Sequence, residues 1–225
     1  MDLGALVARH VEARGGAVTL DAVRAMRNEA EIVEPSFTVR GPYIASVEGL
    51  MRVDIFADGA CVWSEGIDRA GAWDWQQGRE PRAASEAGAA ALAHGVEFNL
   101  FGLHRYAERG HILSYEGVET IDGVDYYVLR IVLADGFETY RYIHPETYMI
   151  ARARDVRALH PDVDATETML ESVYSDFRSV SGVISPFVWL QRDMRTGEVV
   201  QRGSVLSLEY NPPLTDADFA RGRRA

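Results

Sequence analysis

The chain of 225 residues has no lysine: all 23 of its basic residues are arginine, set against 34 acidic ones. The resulting formal charge of −11, with no arginine-rich face, excludes nucleic acid as an expected partner. The acidity reads as solubility. There is one cysteine, Cys61, in the apolar setting Ala60-Cys61-Val62-Trp63. A single thiol makes no internal disulfide, so Cys61 reads as a small buried hydrophobe and says nothing about compartment. No apolar run approaches the roughly 18 residues of a membrane span. Met1-Asp2-Leu3 shows no basic segment followed by an apolar one, so no signal peptide is visible.

Catalytic patterns are missing as well. The sequence has no Gly-x-Ser-x-Gly elbow, no phosphate-cradling loop and no Gly-x-Gly-x-x-Gly. His94, His104 and His111, spaced i, i+10 and i+17, match no compact metal motif. His160-Pro161-Asp162 with Asp164 and Glu167 lacks the central glycine and ligand order of a calcium loop and reads as a solvated acidic turn. No catalytic residue, metal or cofactor is expected, and the chain is not read as an enzyme.

What is present is strand-forming sequence, centred on His111 to Arg157. Asp122-Gly123, Asp135-Gly136 and His144-Pro145-Glu146 separate four β-branched and aromatic runs. Asp-Gly between such runs is a strong hairpin signal, because glycine takes the positive φ that a tight turn needs. Short loops leave only antiparallel neighbours, so the stretch is a meander. Val124 to Leu133 is apolar on both faces apart from Asp125 and Arg130, which predicts that something apolar covers each side.

Around this centre the rest falls into place. Asp2 caps a helix running to Ala13, stopped by Gly15-Gly16, and Thr19 caps a short second one with Leu20, Val23 and Met26 inward. From Asn28 to Phe56 the period is two. Met51, Val53 and Ile55 point one way and Arg52 and Asp54 the other, with Gly41-Pro42 and Glu48-Gly49 as turns or bulges. Asp58-Gly59 is a further hairpin turn. Arg82 to Tyr106 is alanine-rich with a helical period and must lie on the sheet. Strands over Glu167–Ser179, Val183–Arg192 and Val199–Tyr210 follow, and Thr215 caps a terminal turn that tucks in Phe219. With no repeat or linker, one domain is expected over residues 1–225.

The order of elements resembles the LolA/LolB-like superfamily of outer-membrane lipoprotein-sorting proteins, over nearly the whole chain. The residues that carry it are Glu12-Ala13-x-Gly15-Gly16, Met51-Arg52-Val53-Asp54-Ile55-Phe56 with Asp58-Gly59, and Asp68 followed by Gly71 and Trp73. Further on stand Gly117-x-Glu119-x-x-Asp122-Gly123, Tyr142-Ile143 with Pro145-x-Thr147-Tyr148, and Tyr174-x-Asp176-Phe177-Arg178 with Gly182 and Pro186-Phe187. The carriers proper place an Arg-Pro just before the strand that here holds Arg52, where this chain has Ser46-Val47-Glu48-Gly49. The resemblance is therefore to a divergent member.

It implies a mainly β (α+β) fold: a curved, incompletely closed antiparallel barrel of about ten to eleven strands, with N-terminal helices and a helical lid over the concave face. It also implies a hydrophobic cavity for a lipid or for lipoprotein acyl chains. On the sheet, Met51, Val53, Ile55, Val128, Tyr140 and Tyr142 would line it, and in the lid Leu92, Val96, Leu100 and Leu103. Trp63, Trp73, Trp75 and Trp189 would stand at its mouth. Of the strand arginines Arg40, Arg52, Arg130 and Arg141, Arg52 is the candidate to contact a lid or ligand headgroup. The implied role is a periplasmic carrier, its leader removed, working with envelope membrane-protein partners. The alternative is a lipid- or lipoprotein-sensing regulator that signals through a protein partner.

Overall fold

The computed structural model describes residues 1–222. Helices α1 (Leu3–Ala13) and α2 (Ala17–Asp21) precede strands β1 (Ala25–Glu34), β2 (Phe37–Ser46), β3 (Met51–Ala57), β4 (Ala60–Asp68), β5 (Gly71–Gln76) and β6 (Arg82–Ala83). Helix α3 (Glu86–Leu100) and a 3-10 turn (Leu103–Arg105) lead into β7 (Ile112–Ile121), β8 (Val124–Val132), β9 (Glu138–Ile143) and β10 (Ile150–Arg157). Strands β11 (Thr168–Val180), β12 (Val183–Asp193) and β13 (Val199–Tyr210) follow, then α4 (Asp216–Phe219). The strands form one sheet in the order β6-β5-β4-β3-β2-β1-β13-β12-β11-β10-β9-β8-β7, which is not closed. Among the described residues no helix is long and apolar enough to cross a membrane.

The mainly antiparallel, unclosed sheet with a few helices is as expected, with thirteen strands in place of ten or eleven. Gly41-Pro42 is not a turn but lies inside β2, where a Cβ on Gly41 would come within 1.7 Å of the Asp54 carbonyl oxygen. Only glycine permits that approach. The short second helix starts from Gly16, not Thr19, and Met26 belongs to β1. The alanine-rich helix is shorter than its periodicity suggested: Arg82–Ala83 pair with β5 as β6, and the chain leaves the helix at Phe101.

By internal contact the chain divides into two compact units, each made of three segments. One, here the meander unit, comprises Met1–Ala22, Gly102–Arg157 and Glu167–Arg202. Its hairpin turn at Asp122 (φ 53°) and Gly123 (φ 81°) has the two positive dihedrals of the turn that matches strand twist. Leu129, Ile131, Ile143 and Leu170 are at most 2% exposed and form one face of its core. The Asp2 carboxylate accepts from the Ala5 amide (2.8 Å) to cap α1. The helix buries His10, whose Nδ1 lies 2.8 Å from the Tyr148 carbonyl. Burial, and the nearby Arg14 guanidinium, pull the His10 imidazole down to about 4, so it is neutral in the folded chain. The other, the α3 unit, comprises Val23–Phe101, Ala158–Thr166 and the chain from Gly203 onward. There the capping box of Thr215 and Asp218 starts α4, and Phe219 packs on Ile44 and Leu50.

Candidate functional site

In the α3 unit the site is built by a helix laid on strands. Ser85 caps α3, its hydroxyl accepting from the Gly88 amide at 3.0 Å. The Ser85 amide in turn donates to Asp162 at 2.9 Å. A Cβ on Gly88 would lie 1.8 Å from an Asp162 carboxylate oxygen, so a larger residue there displaces that side chain. A side chain thus holds the positive end of the helix from outside the helix itself. Leu92, Val96 and Leu100, four residues apart, are buried, and α3 packs against β2, β4 and β5.

Strand register decides which side chains meet α3. Tyr43 pairs with Val53, Val53 with Glu65 and Glu65 with Asp74; Ile55 pairs with Trp63. Directly opposed residues share a face, so these lie together with Met51. Asn99 of α3 donates to the Tyr43 hydroxyl (3.4 Å), which puts the helix over this face. Desolvation pushes the Tyr43 hydroxyl up to about 12. Loss of water also raises the Glu65 carboxyl, against the Trp63 indole N–H that donates to it at 3.2 Å.

Trp73 and Trp75 fall on the opposite face, contrary to the expectation that all four tryptophans share one mouth. Trp73 pairs with Gly66, Gly66 with Arg52 and Arg52 with Ile44; Trp75 pairs with Ser64 and Ser64 with Asp54. That face is covered by α4. Arg52 does not reach α3 either. It is 3% exposed, forks onto Asp54 (Nε–Oδ1 2.9 Å, Nη2–Oδ1 2.6 Å) and donates to the carbonyls of Ala220 (2.5 Å) and Gly222 (2.8 Å). Its place is that of an anchor for the C-terminal segment.

The meander unit divides its candidates in the same way. Trp189 pairs with Tyr174 on β11, and its indole donates to Gln201 at 3.0 Å; Leu103 is buried in the 3-10 turn, which packs on α1. Val128, Tyr140 and Tyr142 stand on the face opposite Leu129 and Ile131, clustered with Tyr126. This face is not purely apolar. Tyr142 donates to Glu119 (3.0 Å) and accepts from Arg154 (3.0 Å), which also bonds Glu119 (2.7 Å) and Glu171 (3.0 Å). The other strand arginines are paired too: Arg40 with Glu31, Arg130 with Glu138, Arg141 with Tyr174.

The histidines and the acidic turn have separate occupations. His94 lies beside the Phe98 ring, His104 is 2.9 Å from Asp21, and His111 accepts from the Ala134 amide. Asp162 serves α3, and His160 lies 2.8 Å from Glu34. Among the described residues no group of three or more His, Cys, Asp or Glu is placed to hold a metal ion.

No family model and no curated protein matches the sequence. Solved structures do match the fold. A LolA superfamily protein from Nitrosomonas europaea superposes with a TM-score of 0.66 at 14% identity, over 98% of each chain. A DUF1329 family protein from Desulfovibrio piger gives 0.65 at 15% identity over 97% of each. A domain from Vibrio parahaemolyticus named for outer-membrane lipoprotein sorting gives 0.64 at 12%, over 95% of this chain and 94% of that one. The fold of this chain is that of these solved structures, a LolA superfamily protein among them, at 12–15% sequence identity.

Proposed function

We propose that this protein is a periplasmic carrier that takes up a lipid, or the acyl chains of a lipoprotein, between α3 and the sheet face beneath it. The observation that carries this reading is the floor of that face. Val53, Ile55 and Trp63 remain only partly buried although α3 packs on β2 and β4 at either side of β3, while Leu92, Val96 and Leu100 of the helix are buried. An apolar surface that its own fold leaves incompletely covered gains roughly 0.8 kcal/mol for each ligand CH₂ it shields. The fold shared with LolA-superfamily proteins and with the lipoprotein-sorting domain supports the same role. Binding of this kind needs no catalytic group.

Native mass spectrometry and organic extraction of the purified full chain test the reading. A co-purifying lipid, lost in a Val53→Glu variant that keeps its far-ultraviolet circular dichroism, is the expected result. A protein that is empty on purification and takes up no phospholipid from vesicles would remove the basis for it.

A further inference from the structure

The meander unit has a groove on the face away from Leu129 and Ile131. Its volume is about 900 Å³ and it is open to solvent. Three of the unit's exposed large hydrophobic side chains line it: Val156 (49% exposed), Met169 (50%) and Met194 (37%). Exposed apolar side chains scattered singly are ordinary, but three converging on one depression mark a surface that another molecule covers. Two are methionines, whose flexible thioethers adapt to differing partners.

The polar lining gives the sign of that molecule. Glu116, Glu119 and Glu138 face the groove with the guanidinium of Arg154, while Asp155 borders it but turns its carboxylate to Thr139 on the opposite face. Arg154 is already held by Glu119 and Glu171 and by the Tyr142 hydroxyl. Arg130 pairs Glu138 from outside the lining. Glu116 is bonded by the Ser114 hydroxyl and otherwise turns to solvent. A ligand entering the groove therefore meets carboxylate and phenol oxygens, on a chain whose net charge is −11. This arrangement receives N–H donors and repels anions.

The shape gives the class. The lining runs from Glu119 on β7 across β8, β9 and β10 to Met169 on β11. Four strand spacings of about 4.8 Å make roughly 19 Å, the length of about six residues of extended chain. We propose that this groove binds an extended, arginine- or lysine-bearing apolar segment of a partner protein, independently of any lipid held under α3.

The probe is an acetylated and amidated hexapeptide, Arg-Leu-Val-Arg-Leu-Val, titrated into lipid-free full-length protein. Calorimetry gives the affinity, and amide chemical-shift mapping gives the location. Shifts centred on Val118, Glu119, Tyr140 and Met169 are expected. Glu116→Arg and Met169→Ser, both at solvent-facing positions that leave the core intact, should each weaken binding by about tenfold or less, and raised salt should weaken it further. Three results would overturn the proposal: no binding or shifts elsewhere, equal binding of the same peptide with Glu for Arg, or equal binding of spermidine. The last would make the groove a small-polycation site.

Discussion

The meander unit and the α3 unit bury ionisable groups of opposite kind. In the first, His10 is a base held neutral, its pKa drawn down to about 4 by burial and by Arg14. In the second, Glu65 is an acid whose carboxyl is raised by loss of water. Between about pH 4 and 6.5 the unfolded chain protonates His10 and the folded one does not, so that part of the stability is complete above 6.5 and lost as pH falls through 4. For Glu65 the sign reverses: its contribution is complete below the ordinary glutamate range and lost as pH rises through the raised value. The ion pairs differ as well. Arg52–Asp54 in the α3 unit is sealed, at 3% and 1% exposure, whereas Arg154–Glu119 in the meander unit stays open to water, at 19% and 44%. Sealed charge fixes a chain segment, and open charge is left for recognition.

The largest expected effect concerns the two faces of β8. Ile131→Asp should cost upwards of about 4 kcal/mol in urea titrations, because the carboxylate has no route to water from the core face. Val128→Asp, which looks into the open groove, should cost about half as much. Equal losses would mean that the two faces are buried alike.

Next in size, Arg52→Met should cost about 3–5 kcal/mol by stranding Asp54, and Arg154→Met only about 1 kcal/mol. His10 comes third. Moving from pH 7 towards 4 should remove about 3 kcal/mol from the wild type and much less from His10→Gln, read from urea midpoints. Hydrogen exchange resolved by segment should show β8 and β9 loosening in acid, while the strands around Glu65 loosen in alkali unless Glu65→Gln removes that response. The smallest effect is at Gly88. Alanine there favours the helix by propensity but displaces Asp162, for a net loss of about 1 kcal/mol or less, seen as faster exchange in the first turn of α3.

The sequence made most of the fold legible, since turn chemistry and period-two alternation are local. Asp58-Gly59, Asp122-Gly123 and the Met51/Val53/Ile55 against Arg52/Asp54 alternation stand in the structure as read. The composition of the site was less legible, because face sharing depends on register. Trp63 and Trp73 are both odd-numbered, but the hairpin closing at Asp68↔Gly71 pairs odd positions with even ones, which sends them to opposite sides. That signal was present in the two-residue loop Arg69-Ala70. Tyr43, Asn99 and Asp162 carried no such mark, since each acts through a partner distant in sequence. The groove around Tyr142 was hidden for the same reason: Arg154 and Glu171 come to it from two other strands.

The loop between β10 and β11 leaves one unit, clamps the start of α3 in the other through Asp162, and returns. Each unit is thereby stitched from three separate stretches of polypeptide, and no single scission yields either one whole. Gene truncations made to isolate α3 from the groove would discard strands of both units. The two proposed binding sites must be dissected by point substitution in the intact chain, or by nicking 158–166 and asking whether the pieces stay together.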